Sequence, residues 1–258
     1  KIGENGTLII NSGAGADDIK IIKDSGFTGD LAFNIQINGG EGNDKIDLAN
    51  VTFADGYYAI LAGGAGDDTI IGSKGKDYIF GDEGYVVYKE DESTENTSEK
   101  SKTPKIVKTA EAYVDSGVAG NDQIFAGLGD DVVLGGGGAD FISGDDGADI
   151  LFGDGGRVEY DAAGKATASR SNLFDDGGND TIYGGAGGDF IYAGAGNDNV
   201  DAGSGDDFVN GDKGVDVVYG GSGDDTIDGG DGVDVLFGGT PATGLLLAQA
   251  NSIAGVLP

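Results

Sequence analysis

Across most of this chain an aliphatic residue returns at every ninth position, and the residues between are rich in Gly and Asp. From residue 175 the sequence reads DDGGNDTIY, GGAGGDFIY, AGAGNDNVD, AGSGDDFVN, GDKGVDVVY, GGSGDDTID and GGDGVDVLF, seven units without a slip. Four more begin at Gly117 (GVAGNDQIF, AGLGDDVVL, GGGGADFIS, GDDGADILF) and two at Gly63 (GGAGDDTII, GSKGKDYIF). Single units stand at Gly39 (GGEGNDKID) and Ser12 (SGAGADDIK), which makes fifteen. Their common form is G-G-x-G-x-D-x-U-x, where U is Ile, Val or Leu. Partial units GDEG, GDGG and GGT stand at Gly81, Gly153 and Gly238.

Each position predicts a piece of structure. Positions 7 to 9 form a short strand in which the middle side chain alone faces inwards, because strand side chains alternate in direction. The expected core is a ladder of position-8 aliphatics, one per unit, running from Ile19 to Leu236. Gly at positions 1, 2 and 4 tolerates positive φ and lets the backbone bend with no Cβ in the way. Such a turn can aim several carbonyl oxygens at one point. Position 6 adds a carboxylate in all fifteen units: Asp17, Asp44, Asp68, Asp77, Asp122, Asp131, Asp140, Asp149, Asp180, Asp189, Asp198, Asp207, Asp216, Asp225 and Asp234. Oxygen donors in a flexible glycine turn suit calcium, which takes six to eight of them.

Charge points the same way. Asp and Glu number 46 against 15 Lys and Arg, a formal net charge of -31. A compact chain this acidic repels itself and on its own leans towards disorder. Nucleic acid is excluded as a partner, since phosphate binding needs the opposite sign. Multivalent metal is the economical source of the missing positive charge. With 53 Gly but only 3 Pro, the chain is neither collagen nor a Pro-rich linker. It has no His and no Cys, which removes Ser-His-Asp and Cys-His catalysis, disulfides and the usual zinc ligands. No apolar run approaches a membrane span. A chain that begins with Lys1 and contains no Met is expected to be a fragment or a processed product.

The tandem nonamers resemble the RTX family, the haemolysin-type calcium-binding repeats. The resemblance implies an all-β fold, a right-handed parallel β-roll (a β-solenoid) in which two nonamers make one turn. It also implies calcium between loops 18 residues apart on one side, with the position-6 Asp of both loops and alternate carbonyls of the glycine stretch as ligands. By that resemblance Asp180 and Asp198 share one ion, and Asp189 and Asp207 the next on the opposite side. The implied carbonyl donors are Gly185, Gly187, Gly194, Gly196, Gly203, Gly205, Gly214, Gly221, Gly223, Gly230 and Gly232. Pairing such loops gives an expectation of about ten or more calcium ions, whose summed charge offsets most of the net negative charge. The chain is expected to be unfolded without calcium and to fold cooperatively with it. For the family this suits a chain that stays threadable in the low-calcium cytosol and folds after type I secretion.

Two segments break the period. Residues 85–116 read as two β-prone pieces around the polar stretch KEDESTENTSEKSKTP, and residues 157–174 as a shorter version. Both begin directly after a GDxG half-repeat, at Gly84 and Gly156, and both are expected to be hairpins leaving one continuous roll. The expected organisation is degenerate roll turns over residues 1–62, with Ile21 to Asn38 as a turn without calcium loops, and the calcium-binding roll over 63–239. Residues 240–258 carry no charge and are read as a short helix capping the open end, or as the start of a secretion-signal region.

The leading functional expectation is a non-catalytic, calcium-loaded structural module of a larger secreted or cell-surface protein. An RTX enzyme or toxin carrying this module at its C-terminus is the alternative class, and a ligand-, carbohydrate- or surface-lattice-binding region is another. Aromatics at positions 7 and 9, among them Phe80, Phe125, Phe152, Tyr183, Tyr192, Tyr219 and Phe237, are expected to face outwards. They lie either beneath the inserted hairpins or on a surface for a protein or glycan partner. Thr never stands at position 3, which argues against an ice-binding face.

Overall fold

The computed structural model describes residues 6–22, 29–88, 107–112, 119–161, 163, 165–171, 177–239 and 247–249. Along them the chain passes back and forth between two parallel sheets. The first sheet runs Thr7–Ala14, Asn34–Glu41, Ala59–Ala65, Asp77–Phe80, Val132–Leu134, Ile150–Phe152, Phe190–Ala195, Phe208–Gly214, Thr226–Asp228 and Leu247–Gln249, with Asp231–Gly232 added beside Phe208–Gly214. The second runs Asp18–Lys20, Lys45–Asp47, Thr69–Ile71, Gln123–Phe125, Phe141–Ser143, Thr181–Ala186, Asn199–Ser204, Val217–Tyr219 and Val235–Phe237. No helix occurs among the described residues. This is a parallel β-roll, as the nonamers predict.

Register shows why nine residues suffice for each strand and its loop. Position 8 always lies beside position 8: Ile70, Ile124, Ile142, Ile182, Val200, Val218 and Leu236 succeed one another along the second sheet. The first sheet repeats this with Ile79, Val133, Leu151, Ile191, Val209 and Ile227. All of these are buried except Leu236, which closes the far end half-covered. Ala126, Ala193 and Ala202 at position 1 are also buried in this core. A core one or two side chains deep per rung makes each rung depend on its neighbours, as solenoids do.

The N-terminal turns are longer than the rest. Thr7–Ala14 aligns with Asn34–Glu41, and Asn34–Glu41 with Ala59–Ala65. The extra residues widen the turn: Leu31 bridges Phe53, and Leu48 and Val51 fill the added interior. The segment 21–38 therefore differs from a plain 18-residue turn, because Asn34 already begins a strand of the first sheet; residues 23–28 lie outside the described set. The C-terminal expectation of a helix is corrected at Leu247–Gln249, which is a strand paired with Thr226–Asp228. A strand satisfies the open backbone edge that a helix would leave unpaired. Residues 240–246 and 250–258 lie outside the described set.

The roll runs unbroken past both insertions, since Tyr78 lies beside Val132 and Ile150 beside Phe190. The insertions do not protrude as two separate hairpins. Gly156–Tyr160 pairs with Ala166–Ser171 on one side and with Val107–Ala112 on the other, and Val107–Ala112 pairs with Gly84–Tyr88. The two hairpins thus form one four-stranded antiparallel sheet. It covers the outer face of the first parallel sheet through a second core of Tyr58, Ile60, Tyr78, Phe80, Val132, Leu134, Phe152, Val158 and Tyr160. The polar stretch at the tip of the first insertion lies outside the described residues.

Candidate metal centres

Every loop of the roll lies on one of two edges, and the position-6 aspartates form a continuous hydrogen-bonded ladder along each. On one edge the backbone amide of Asp17 donates to Asp44 Oδ1 at 2.8 Å, and Asp44 to Asp68 at 2.6 Å. The ladder continues through Asp122, Asp140, Asp180, Asp198 and Asp216 to Asp234. On the other edge it links Asp77, Asp131, Asp149, Asp189, Asp207 and Asp225. The plain steps are 18 residues apart, the wider N-terminal turns make steps of 27 and 24, and the two insertions stretch one step of each ladder to 54 and 40. Asp180 and Asp198 are adjacent rungs of the first ladder, and Asp189 and Asp207 of the second.

The second carboxylate oxygen is the telling one. In thirteen of the fifteen aspartates Oδ2 is buried and accepts no hydrogen bond from any protein atom; Asp77 and Asp234 are the exceptions. Buried carboxylate oxygens normally have a partner. Where a glycine stands at position 1 of these loops, Oδ2 turns towards that glycine and a carbonyl of the next turn. A Cβ placed on Gly39 would stand 2.5 Å from Asp44 Oδ2 and 2.5 Å from the Gly63 carbonyl. One placed on Gly211 would stand 2.6 Å from Asp216 Oδ2 and 2.5 Å from the Gly229 carbonyl. Charge and carbonyl oxygen converge there with no hydrogen-bond donor.

The eleven glycines named above all have φ between 82° and 153°, the left-handed region that L side chains avoid. Space forbids a side chain as well. A Cβ on Gly230 would collide with the Asp212 carbonyl of the preceding turn, and one on Gly203 with the Gly185 carbonyl. The loops therefore stack backbone to backbone, with rows of carbonyl oxygens lining each edge.

Burial governs the electrostatics. It pushes the carboxyl of Asp189 up to about 6, those of Asp68, Asp198, Asp207 and Asp216 to about 7, and those of Asp122, Asp149 and Asp180 to about 8. Asp140 reaches about 10, from burial first and then the like charge of Asp180, with its hydrogen bond from Asp122 pulling the other way. Asp131 is raised by burial and by its neighbours Asp77 and Asp149. A file of carboxylates this costly to ionise calls for cations between them. Among the described residues no three acidic side chains converge on one point, so a cation between the loops would draw most of its oxygens from carbonyls. That donor set, one or two carboxylates with several carbonyls, fits calcium.

Asp77 departs from the others. Its Oδ2 accepts from the Ser73 amide at 2.5 Å and its Oδ1 from the Ser73 hydroxyl at 3.0 Å. The Lys76 ammonium of the same loop lies over the rings of Tyr78 and Tyr160, 5.3 and 5.5 Å from their centroids. Two features escape the nonamer template. Position 5 builds a second, exposed ladder, in which Asn43, Asp67, Asn121, Asp130, Asn179, Asn197 and Asp206 each accept an amide from a neighbouring turn. The excess of Asn and Asp at that position was its signal. Asp82 and Asp154, in the half-repeats before the insertions, are also buried with the loops. The starting residues of two nonamers, Gly117 and Asp175, lie outside the described set; Gly81 and Gly153 take their place, facing Asp122 and Asp180 as position-1 glycines do.

A parallel roll with files of unpartnered acidic oxygens along both edges defines a metal-binding β-solenoid. Six segments, 36–50, 60–86, 116–142, 128–157, 174–209 and 210–240, match the family model of the RTX calcium-binding nonapeptide repeat. Together they cover more than half of the chain, which belongs to that family and is a calcium-binding module. No curated protein matches it.

Proposed function

We propose that this chain is the structural module of a larger secreted or cell-surface protein, unfolded in the cytosol and folded by calcium after type I secretion. The carrying observation is the set of thirteen buried Oδ2 atoms with no hydrogen-bond partner. Neighbouring aspartates make eight adjacent pairs on one edge and five on the other. In this reading each ion sits between successive loops, held by the position-6 carboxylates and by position-2 and position-4 carbonyls such as those of Gly185, Gly187, Gly203 and Gly205. Ten or more ions fill the two edges, and Asp77, already held by Ser73, contributes least. Catalysis is no part of the reading, in which the position-6 carboxylates serve the ions. Far-UV circular dichroism tests it: the β-signal disappears with EGTA and returns with calcium. A chain that keeps its β-signal in EGTA above about pH 8 overturns the calcium-driven fold.

One observation supports a further task for the same module. The position-9 aromatics divide between the two sheets. Phe80 and Phe152 are buried under the inserted sheet, while Tyr183, Tyr219 and Phe237 stay exposed on the outer face of the second sheet. There Phe125, Phe141 and Tyr183 follow one another at 5.5 and 5.6 Å, and Tyr219 stacks on Phe237 at 4.6 Å. Rows of exposed rings suit sugar faces or a protein partner. A glycan array with calcium present separates the readings; no binding leaves the scaffold alone.

A further inference from the structure

Asp82 and Asp154 occupy the same place in the repeat, and neither is a position-6 aspartate. Each is position 2 of a loop that the chain then leaves for an insertion. The break is clean. The Asp82 amide still donates to the Gly135 carbonyl at 3.3 Å, as the position-2 amide of Gly136 does to Gly153 at 3.2 Å. After Asp82 the chain departs, and it rejoins the loop at Gly120 with position 4. The second break runs from Asp154 to Gly177.

In unbroken loops the position-2 carbonyl accepts the position-3 amide of the next turn. Ser222 donates in this way to Gly203 at 2.8 Å, and Ala186 to Asp145 at 2.7 Å. At the breaks the side chain stands in for that carbonyl. The Gly137 amide donates to Asp82 Oδ2 at 2.7 Å, and the Ala195 amide to Asp154 Oδ2 at 2.6 Å. A Cβ on Gly136 or Gly194 would strike these carboxylates, where elsewhere it would strike a carbonyl. A carboxylate is thus grafted where the insertion has carried a carbonyl away.

The two differ in what remains. Asp82 Oδ1 takes the Gly120 amide at 3.1 Å, so both of its oxygens accept a hydrogen bond. Asp154 Oδ1 makes no well-formed hydrogen bond, although the residue is only 3% exposed; the Gly178 amide, the counterpart of Gly120, approaches the carboxylate without closing one on Oδ1. Around it lie the oxygens of a loop edge. Gly153 faces Asp180 Oδ2 and the Ala193 carbonyl, and Gly177 faces the Asp154 carboxylate and the Ala195 carbonyl. Asp180 Oδ2 is itself without a partner.

Resting on the reading that these loops hold calcium, we propose that Asp154 is a calcium ligand. Its Oδ1 takes the coordination place of the missing position-2 carbonyl. The ion between the broken loop and the loop of residues 193–198 is thereby kept despite the insertion. Asp82 is the hydrogen-bonding counterpart, a surrogate carbonyl whose oxygens the amides already hold.

Calcium titration of the whole chain by calorimetry, with equilibrium dialysis for stoichiometry, tests this. Asp154→Asn keeps an oxygen for the Ala195 amide but removes the charge. It is expected to lose one ion, or to weaken one site at least tenfold, with the β-signal at saturating calcium intact. Asp82→Asn is expected to keep the wild-type stoichiometry. Asp154→Asn combined with Asp180→Asn is expected to lose no more ions than Asp180→Asn alone, since the ion that Asp154 holds is one of those that Asp180 holds. Asp154→Asn that titrates as wild type, or losses that add in the double variant, overturns the proposal and leaves Asp154 a hydrogen-bond acceptor. If Asp154→Asn does not fold at any calcium concentration, Asp154→Glu decides. Wild-type stoichiometry there overturns the proposal, because the longer side chain cannot keep the same coordination place; one weakened site supports it. A wild-type chain that binds no calcium removes the underlying reading, a separate result.

Discussion

At the scale of single residues, the loops are fixed by what they exclude. Gly203 has φ 103° and its α-carbon faces the Gly185 carbonyl of the turn before, with the Gly185 nitrogen 2.9 Å from where a Cβ would stand. Gly203→Ala meets strain from φ and a backbone atom that has nowhere to move. The expected cost is about 2–4 kcal/mol, since strained backbone costs about 1–3 kcal/mol and overpacking a similar amount. A higher calcium concentration at the folding midpoint, read by circular dichroism, checks it. Ser204 beside it is exposed at the variable position 3, and Ser204→Ala should leave that midpoint within experimental error. This level was the most legible in the sequence. Glycine, Asp and the aliphatic recur at fixed positions because each answers a local constraint that repeats with every turn. The role of position 5 was harder to read, since Asn and Asp there alternate with Ala, Gly, Val and Lys, and only stacking reveals what the side chains accept. Asp154 was harder still. Its carboxylate acquires meaning only where the chain leaves a loop and returns, which no local pattern encodes.

At the scale of elements, the inserted sheet shows where period-reading stops. The two departures were visible as breaks in the nonamer register, and their common GDxG start marked the exit points. That they join edge to edge was not visible, because 44 residues separate the paired Gly156 and Ala112 and nothing periodic links them. Their docking has a shared hinge. Gly84 lies against the ring of Phe80 and Gly156 against that of Phe152, each close enough that a Cβ would enter the ring. Phe80 and Phe152 are position-9 residues of the first sheet and wholly buried beneath the insertion. Gly156→Ala should therefore lever Gly156–Tyr160 away from the roll without touching the loop aspartates. Hydrogen exchange is expected to quicken at Gly156–Tyr160 and Val107–Ala112 while Phe141–Ser143 and Asn199–Ser204 keep their protection. Equal loss of protection in the roll strands would show that the two layers unfold as one unit.

At the scale of the whole molecule, protons and calcium compete for the same oxygens. The ordinary aspartate value is 3.8, and burial raises the loop carboxyls to between about 6 for Asp189 and about 10 for Asp140 when no cation is near. A group whose folded value lies above its unfolded value favours the fold while it is protonated. That contribution is complete below pH 3.8 and fades as pH rises through the folded values. The calcium-free chain is thus expected to hold β-structure best in acid and to lose it between about pH 6 and 8, as one carboxylate after another must ionise inside the roll. Calcium reverses the sign, because an ion between two loops favours the ionised form and holds those values low. The calcium-bound chain should then be most stable at neutral pH and release its ions on acidification. Calorimetric titrations at pH 5.5 and 7.5 should show the affinity rising steeply with pH and protons released on binding at the lower value. Circular dichroism in EGTA over the same range should show the opposite trend. Two curves that cross in this way would identify the acidic files along the two edges as the element that ties folding to calcium. Parallel curves would mean that the aspartates ionise freely in the fold and that the net charge of -31 is borne without metal.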